Sequence, residues 1–432
     1  MNTEQLYSIF LQHPAVTTDS RNCPADSIFF ALKGENFDGN LYASAALEKG
    51  CAMAVVDNME VVPSGDVRYI LMDNVLKAMQ DLAAYHRRRL GTRVIQVTGT
   101  NGKTTTKELL SAVLSKRFRT LWTQGNLNNH IGVPLTLLRL KPEHEIAIVE
   151  TGASHPGEIK QLCQMVQADC GLVTNVGRAH LEGFGSFDGV KRTKGELYDD
   201  LKSRHCQAFV NQHDPDLMAM ARERDLDMIP YVEGKVTDCS PMLYVGWCNS
   251  ADNQQHNIAT HLIGAYNLPN VLAAISVGLH FGVSPQDIDE ALATYVPTNN
   301  RSEFRQTERN RLIIDAYNAN PTSMKAALEN FGLMNAPHKM AILGKMGELG
   351  AESQAEHAKI ISILSGMSDL EELWLVGKEF ETCDTASLPF PHSIFTDVQQ
   401  VKDRLAQDSL ANRTILIKGS NSTRLFQLPD LL

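Results

Sequence analysis

The stretch that most constrains this chain is Thr98-Gly99-Thr100-Asn101-Gly102-Lys103-Thr104-Thr105-Thr106. It follows the β-branched run Arg93-Val94-Ile95-Gln96-Val97 and precedes a segment whose apolar residues Leu109, Leu110, Val113, Leu114 and Phe118 recur at helical spacing. The order is strand, glycine loop, helix. Such a loop aims successive backbone N–H groups and the positive end of a helix dipole at one place, which suits a polyphosphate. Lys103 adds a mobile positive charge for the terminal phosphates, and the hydroxyl of Thr104 suits a Mg2+ ion. The usual phosphate-loop pattern also has a glycine five positions before Gly102, where this chain has Val97. The Gly-Lys-Thr core and its strand-to-helix setting therefore identify the loop. The plain alternative, a glycine turn beside a surface lysine, does not explain that setting.

At 432 residues the chain exceeds what one hydrophobic core supports, so roughly two or three domains are expected. A hydrophobic content of 43% with 21% charged residues fits an ordered globular protein. The net charge of -10 argues against nucleic acid as a partner, because no basic surplus exists to replace counterions. Anionic ligands must then be held by local N–H groups, a few Lys and Arg side chains, and bound metal. Eight scattered cysteines with no Cys-x-x-Cys pair fit reduced thiols better than a disulfide frame or a zinc site. Met1-Asn2-Thr3-Glu4-Gln5 lacks the basic-then-apolar signature of a signal peptide. No apolar run approaches the ~20 residues of a membrane span. A cytoplasmic location is expected.

Three units follow from the order of patterns. Residues 1–75 read as a small mixed unit, with strands near 27–32, 51–56 and 67–72 and a helix near 42–49 closed by Gly50. Within it Thr18-Asp19-Ser20-Arg21 and the loop Lys33 to Gly39 are equally well read as turn chemistry or as a ligand site. Residues 76–297 form the central unit, entered by an amphipathic helix over 74–90. Its strands end in polar residues: 145–149 leads into Glu150, and 171–174 leads into Asn175 and on to His180. Ligands of an open parallel sheet sit beyond the carboxyl ends of its strands, so these positions should converge on the loop. Glu150 is thereby a candidate Mg2+ ligand. A lone histidine such as His180 is more often hydrogen-bonded than ligating.

A helix from Asp188 carries Lys194, by default a solvated lysine whose protonated amine has no lone pair for a metal. Carbamylation by carbon dioxide alone would make it an anionic oxygen ligand. Residues 205–260 read as further strands, and 264–274 as a loop entering an alanine-rich helix that Asn267 and Asn270 either cap or leave to meet a base edge. A joint is expected near Val296-Pro297 and Asn300-Arg301-Ser302. From 298 to 432 strands and helices alternate as in a doubly wound sheet. Its strand ends carry Asp315 to Pro321, Gly344 to Gly350, Gly377-Lys378 and Lys418 to Asn421, four polar loops that would form the second wall of a cleft.

Taken together, the loop Thr98 to Thr104, the block Gly125 to Pro134, Ala179-His180-Leu181-Glu182, and Asp315-Ala316-Tyr317-Asn318-Ala319-Asn320-Pro321 with Ser323 resemble the ATP-dependent Mur ligases of bacterial cell-wall synthesis. The resemblance spans essentially the whole chain and accounts for the missing outer glycine. It implies an α/β protein of three domains: a small mixed α/β uridine-nucleotide-binding domain, a central P-loop ATPase-like domain on a parallel sheet, and a C-terminal Rossmann-like α/β domain. The Asp315 to Ser323 block points to the branch that joins D-alanyl-D-alanine to UDP-N-acetylmuramoyl tripeptide. ATP would phosphorylate the tripeptide's carboxylate, and the dipeptide amine would attack the acyl phosphate.

By the same resemblance Gly99, Thr100, Asn101, Gly102, Lys103, Thr104 and Thr105 hold ATP, with Asn267 and Asn270 facing adenine and Arg301 and Asp315 reaching the nucleotide. Two Mg2+ sites are implied, one on Thr104 and Glu150 and a second on His180 and carbamylated Lys194. Lys103, Glu150, His180 and Lys194 would thus be the catalytic set. Ser20, Arg21, Asp38 and Gly39 would hold the uridine substrate, Asn126 would be a further substrate contact, and Asn318, Asn320 and Ser323 would serve D-alanyl-D-alanine. The chain has Gly344-Lys345-Met346 where relatives usually read Gly-Asp-Met, and Asn421 where many have arginine. A monomer that closes about residues 297–301 is expected. The tripeptide-forming relative usually carries an Asp-Asn-Pro-Arg motif missing here, and folylpolyglutamate-type ligases lack a separate first domain. A non-catalytic nucleotide-binding scaffold would have no use for the second metal set.

Overall fold

The computed structural model describes residues 1–251, 253–298 and 301–432; Asn300, at the expected joint, lies outside the described residues. The first unit opens with the helix Thr3–Gln12, started by a capping box between Asn2 and Gln5. Its sheet is parallel, in the order Ala15–Thr17, Ser27–Phe30, Met53–Val56, Tyr69–Leu71. Every residue of Ser27–Phe30 is buried, which is why this strand reads as an unbroken apolar run rather than an alternation.

The helix Val75–Arg89, capped by Asn74, does more than link two units. Its Val75, Met79, Leu82 and Ala83 sit in one hydrophobic core with Leu6 and Phe10 of the first unit and Val133, Leu137, Ile159 and Leu162 of the second. Nonpolar burial on that scale stabilises by about 25 cal/mol per Å2 removed from water, so the two units are held as one body.

The central sheet has six parallel strands in the order Met228–Pro230, Gln207–Val210, Cys170–Val173, Arg93–Thr98, Ile146–Glu150, Thr120–Trp122. From Arg93–Thr98 the chain goes first to the edge strand Thr120–Trp122, returns to Ile146–Glu150 beside it, and then crosses to build the other side outward from Cys170–Val173. Arg93–Thr98 is the topological switch point, where the crevice beyond the strand ends must open. The phosphate loop leaves from its end, with Glu150 at the end of one neighbour and Thr174-Asn175 just past the other.

Residues 205–260 are not all strand. A helix, Pro215–Glu223, starts from Asp214 with proline in its first turn, the usual opening of a helix. It is followed by an antiparallel sheet of Gly234–Cys239, Met242–Asn249 and Gln254–Ile263. The third unit pairs Glu303–Gln306 antiparallel to Arg311–Asp315 and continues in parallel through Thr414–Lys418, Lys339–Gly344, Leu370–Val376 and His392–Phe395. Ile263 and Met242 from the antiparallel sheet join the third unit's core, which includes Phe331 and Leu343.

Candidate active site

The loop is shaped by contacts around it as much as by its own glycines. Gly99 has φ +144°, and a Cβ there would fall 2.0 Å from the Thr174 hydroxyl. Gly102 has φ +77°, and a Cβ there would meet Asn270 Oδ1 at 2.5 Å. Both positions therefore demand glycine, for backbone conformation and for space. Asn175 grips the loop: its Oδ1 accepts from Asn101 N at 3.0 Å and its Nδ2 donates to Asn101 O at 3.0 Å. Asn270 backs it from the helix Leu268–His280, accepting from the Thr106 hydroxyl at 3.1 Å and donating to Asn267 Oδ1 at 2.8 Å. Neither asparagine caps that helix with its side chain; Asn267 Nδ2 instead donates to Ile263 O at 2.8 Å.

Beyond the loop the charges are arranged around a buried carboxylate. Glu150 is fully buried; its Oε1 accepts from Thr104 Oγ1 at 3.2 Å and from Asn128 Nδ2 at 2.8 Å. Its Oε2 is buried with no hydrogen-bond partner among the described residues. A bare carboxylate oxygen is costly to bury, and beside a threonine hydroxyl it fits a hard cation. Lys103 lays its amine on Gly99 O and Thr100 O, at 2.9 and 3.1 Å. Burial lowers its pKa to about 8 against the attraction of Glu150.

Lys194 is buried; its amine donates a long hydrogen bond to Ala153 O at 3.5 Å and lies 5.5 Å over the Phe184 ring. Burial first and repulsion from Lys103 second push its pKa down to about 7. An amine so placed keeps its lone pair in much of the population at neutral pH, and addition of carbon dioxide requires that lone pair. His180, in left-handed backbone at φ 50°, sets Nδ1 against the Glu348 carboxylate of the third unit. Among the described residues no three His, Cys, Asp or Glu side chains gather to hold a metal by themselves. A cation here would draw on Thr104 Oγ1 and Glu150 Oε2 together with oxygens of its substrates.

A cavity of about 630 Å3 lies between the central and third units. Thr100, Asn101, Gly102, Lys103, Thr105, Asn126, Glu150, His180, Asn267, Asn270, Arg301, Asp315, Asn318 and Ser323 all line it, as a convergent site requires. Arg301 lies 3.8 Å over the Tyr317 ring, and Asp315 is paired with the buried amine of Lys418. Gly99, Thr104 and Lys194 lie behind the lining.

Asn320 does not line the cavity. It caps the helix Pro321–Leu333 in a reciprocal box with Ser323. The first unit's residues are not brought to the cavity either. Arg21 is locked onto Asp19, whose carboxyl it holds down at about 2, and Asp38 is occupied in capping Asn40. Gly39 sits where a Cβ would strike Leu32 O at 2.4 Å, a structural need for glycine. Lys345 is paired with Glu379 at 2.8 Å, and Asn421 with Ser420 lines an adjoining cavity on the third unit.

Several contributors are not singled out by the sequence. Asn128, Tyr317, Lys418 and Glu348 each hold a residue that is. Asn175, which the sequence does place at a strand end facing the loop, is the residue that grips it.

Comparison with known proteins agrees with this geometry. Residues 14–87 match the Mur ligase family catalytic domain, 97–278 the Mur ligase middle domain, and 300–421 the Mur ligase glutamate ligase domain. The UDP-N-acetylmuramoyl-tripeptide–D-alanyl-D-alanine ligase of Bacillus subtilis (strain 168) is 36% identical over 422 residues, covering 96% of this chain and 92% of that protein. Its counterpart in Escherichia coli (strain K12) is 33% identical over 424 residues, with 95% and 92% covered. A crystal structure of MurF from Acinetobacter baumannii superposes with a TM-score of 0.84 at 29% identity, covering 100% of this chain and 98% of that one.

Proposed function

The chain belongs to the Mur ligase family, and from that premise we propose that it joins D-alanyl-D-alanine to UDP-N-acetylmuramoyl tripeptide at the expense of ATP. The observation that carries this reading is the single cavity onto which the phosphate loop, Glu150 and the third unit's Asp315 to Ser323 segment all open. A polyphosphate on one wall and a peptide acceptor on the other is what the chemistry demands.

Two anions must meet in the first step, so the task is charge neutralisation and alignment rather than supply of a protein nucleophile. Loop N–H groups and the Lys103 ammonium hold the β- and γ-phosphates. Thr104 and the bare Oε2 of Glu150 are suited to one Mg2+, and His180 with carbamylated Lys194 to a second. Bound there, Mg2+ supplies positive charge to the phosphoryl and carboxylate oxygens. Carbamylation converts the neutral Lys194 amine and carbon dioxide to a carbamate and a proton. Asn267, Asn270, Arg301 and Asp315 frame the nucleoside side, with Arg301 steadied on Tyr317.

One carboxylate oxygen of the tripeptide attacks the γ-phosphorus and ADP leaves. The free amine of D-alanyl-D-alanine, oriented from the Asn318 and Ser323 wall, attacks the acyl carbon. It loses a proton, and phosphate departs. Closure of the third unit onto the central one excludes water from the acyl phosphate. The first unit, through Ser20, Arg21, Asp38 and Gly39, retains the uridine end of the substrate, and Asn126 meets it nearer the loop. We place the reaction in the cytoplasm, in a monomer; among the described residues no helix is long and apolar enough to cross a membrane.

ADP release with UDP-muramoyl tripeptide and D-alanyl-D-alanine, compared with UDP-muramoyl dipeptide and free amino acids, tests the assignment. Faster turnover with the first pair is expected, and faster turnover with the second overturns it.

A further inference from the structure

We propose that Asn320 and Asn101 form a latch that sets the phosphate loop and the position of the third unit together, making Asn320 a positioning residue for the nucleotide. Asn320 is 5% exposed, and its Nδ2 donates to Asn101 Oδ1 at 2.7 Å across the two units. Its Oδ1 accepts from Ser323 N at 2.9 Å as the helix cap and also, at 3.5 Å, from Asn101 Nδ2. The cap therefore fixes the orientation of the amide, and the short contact to Asn101 is the one its Nδ2 donates.

Asn101 is held just as firmly from behind. Its N–H donates to Asn175 Oδ1, and its carbonyl accepts from the Thr174 hydroxyl at 2.6 Å and from Asn175 Nδ2 at 3.0 Å. The peptide that precedes Gly102 and Lys103 is thus clamped between a central strand end and a third-unit helix. A second contact lies beside the first, where Arg178 N donates to the Thr322 hydroxyl at 3.2 Å. One strand end, residues 174–178, therefore holds both the loop and the helix that docks on it. Loop N–H groups already aimed at a phosphate need no reordering when it arrives, and such preorganisation appears as affinity.

The proposal rests on the reading of the loop as a nucleotide site, and the test separates the two. Serine caps helices as well as asparagine does, yet it is too short to reach Asn101, so Asn320→Ser removes the latch and keeps the helix. Binding of Mg·ADP to the full-length protein is measured by calorimetry for the wild type, Asn320→Ser, Asn101→Ser and the double variant, with thermal unfolding alongside. Loss of one neutral hydrogen bond predicts about two- to tenfold weaker ADP binding for Asn320→Ser. The double variant should be no worse than Asn101→Ser alone, because the two changes break the same contact.

Wild-type ADP affinity in Asn320→Ser, or a double variant whose loss is the product of the single losses, overturns the latch and leaves the functional reading standing. A wild type that binds no ADP overturns both. Should Asn320→Ser fail to fold, Thr322→Val removes the neighbouring contact without touching the cap and carries the same prediction of weakened ADP binding.

Discussion

Glu150 is a carboxylate with one oxygen satisfied and the other bare, and that asymmetry is the strongest chemical statement any single residue makes here. Glu150→Gln keeps the shape and the contact with Asn128 but places an amide where a cation would sit. Turnover should fall about 10²-fold, the scale of losing one electrostatic contact in a transition state, with an unchanged or higher Tm. Retained turnover contradicts a metal role. Lys194→Ala should abolish activity, and an added short carboxylic acid should restore part of it by replacing the carbamate oxygens; full activity in Lys194→Ala contradicts the assignment. Glu150 was legible from sequence because it ends a strand beside a glycine loop. Lys194 was not legible from its residues: a helical lysine is ordinarily solvated, and only the fold reveals an amine whose pKa burial brings to about 7. Asn320 differs again: its motif points to a ligand, while its side chain makes a helix cap and a contact with Asn101 that the motif does not reveal.

The element of consequence is the loop between Arg93–Thr98 and Lys103–Leu114. At Gly102 a side chain faces both a left-handed backbone and the Asn270 amide 2.5 Å away. Gly102→Ala should therefore cost on the order of 1–3 kcal/mol in stability and weaken nucleotide binding, read by urea unfolding and ADP titration. A variant as stable as the parent would mean that the loop is looser than its contacts indicate. Strand, loop and helix were legible here because period-2 and period-3.6 patterns adjoin at a glycine. The antiparallel strands between Gly234 and Ile263 were legible only as strands. They pair antiparallel in chain order, and their register, such as Val245 opposite Ile258, is set by cross-strand packing that strand propensity alone does not give. The helix Pro215–Glu223 was missed although Asp214-Pro215 signals a helix start.

On the scale of the whole molecule, the first and central units share one core, and His86 sits at their junction. Its Nε2 donates to Leu140 O at 2.9 Å while Nδ1 faces the Tyr7 hydroxyl at 3.3 Å. Burial lowers its pKa below the ordinary value of 6.5. The unfolded chain then binds more protons than the folded one as pH falls below 6.5, so His86 costs stability on the acid side and nothing above that range. The Tm of the wild type should drop more steeply between about pH 6.5 and 5 than that of His86→Gln, which keeps an N–H for Leu140. Parallel pH profiles contradict this role.

The two-walled cleft was legible from polar loops at strand ends, a consequence of parallel topology. How the first unit meets its ligand was not. Arg21 and Asp38 are engaged locally, away from the cavity, and the shared core around Val75–Arg89 fixes where they lie.

The central claim is that the γ-phosphate passes to a carboxylate before the amide forms, and oxygen tracing tests it most directly. UDP-muramoyl tripeptide labelled with 18O in its terminal carboxylate is turned over with ATP and D-alanyl-D-alanine, and the inorganic phosphate is analysed by mass. Transfer of one labelled oxygen to phosphate in each turnover is predicted, and phosphate free of label would contradict the account.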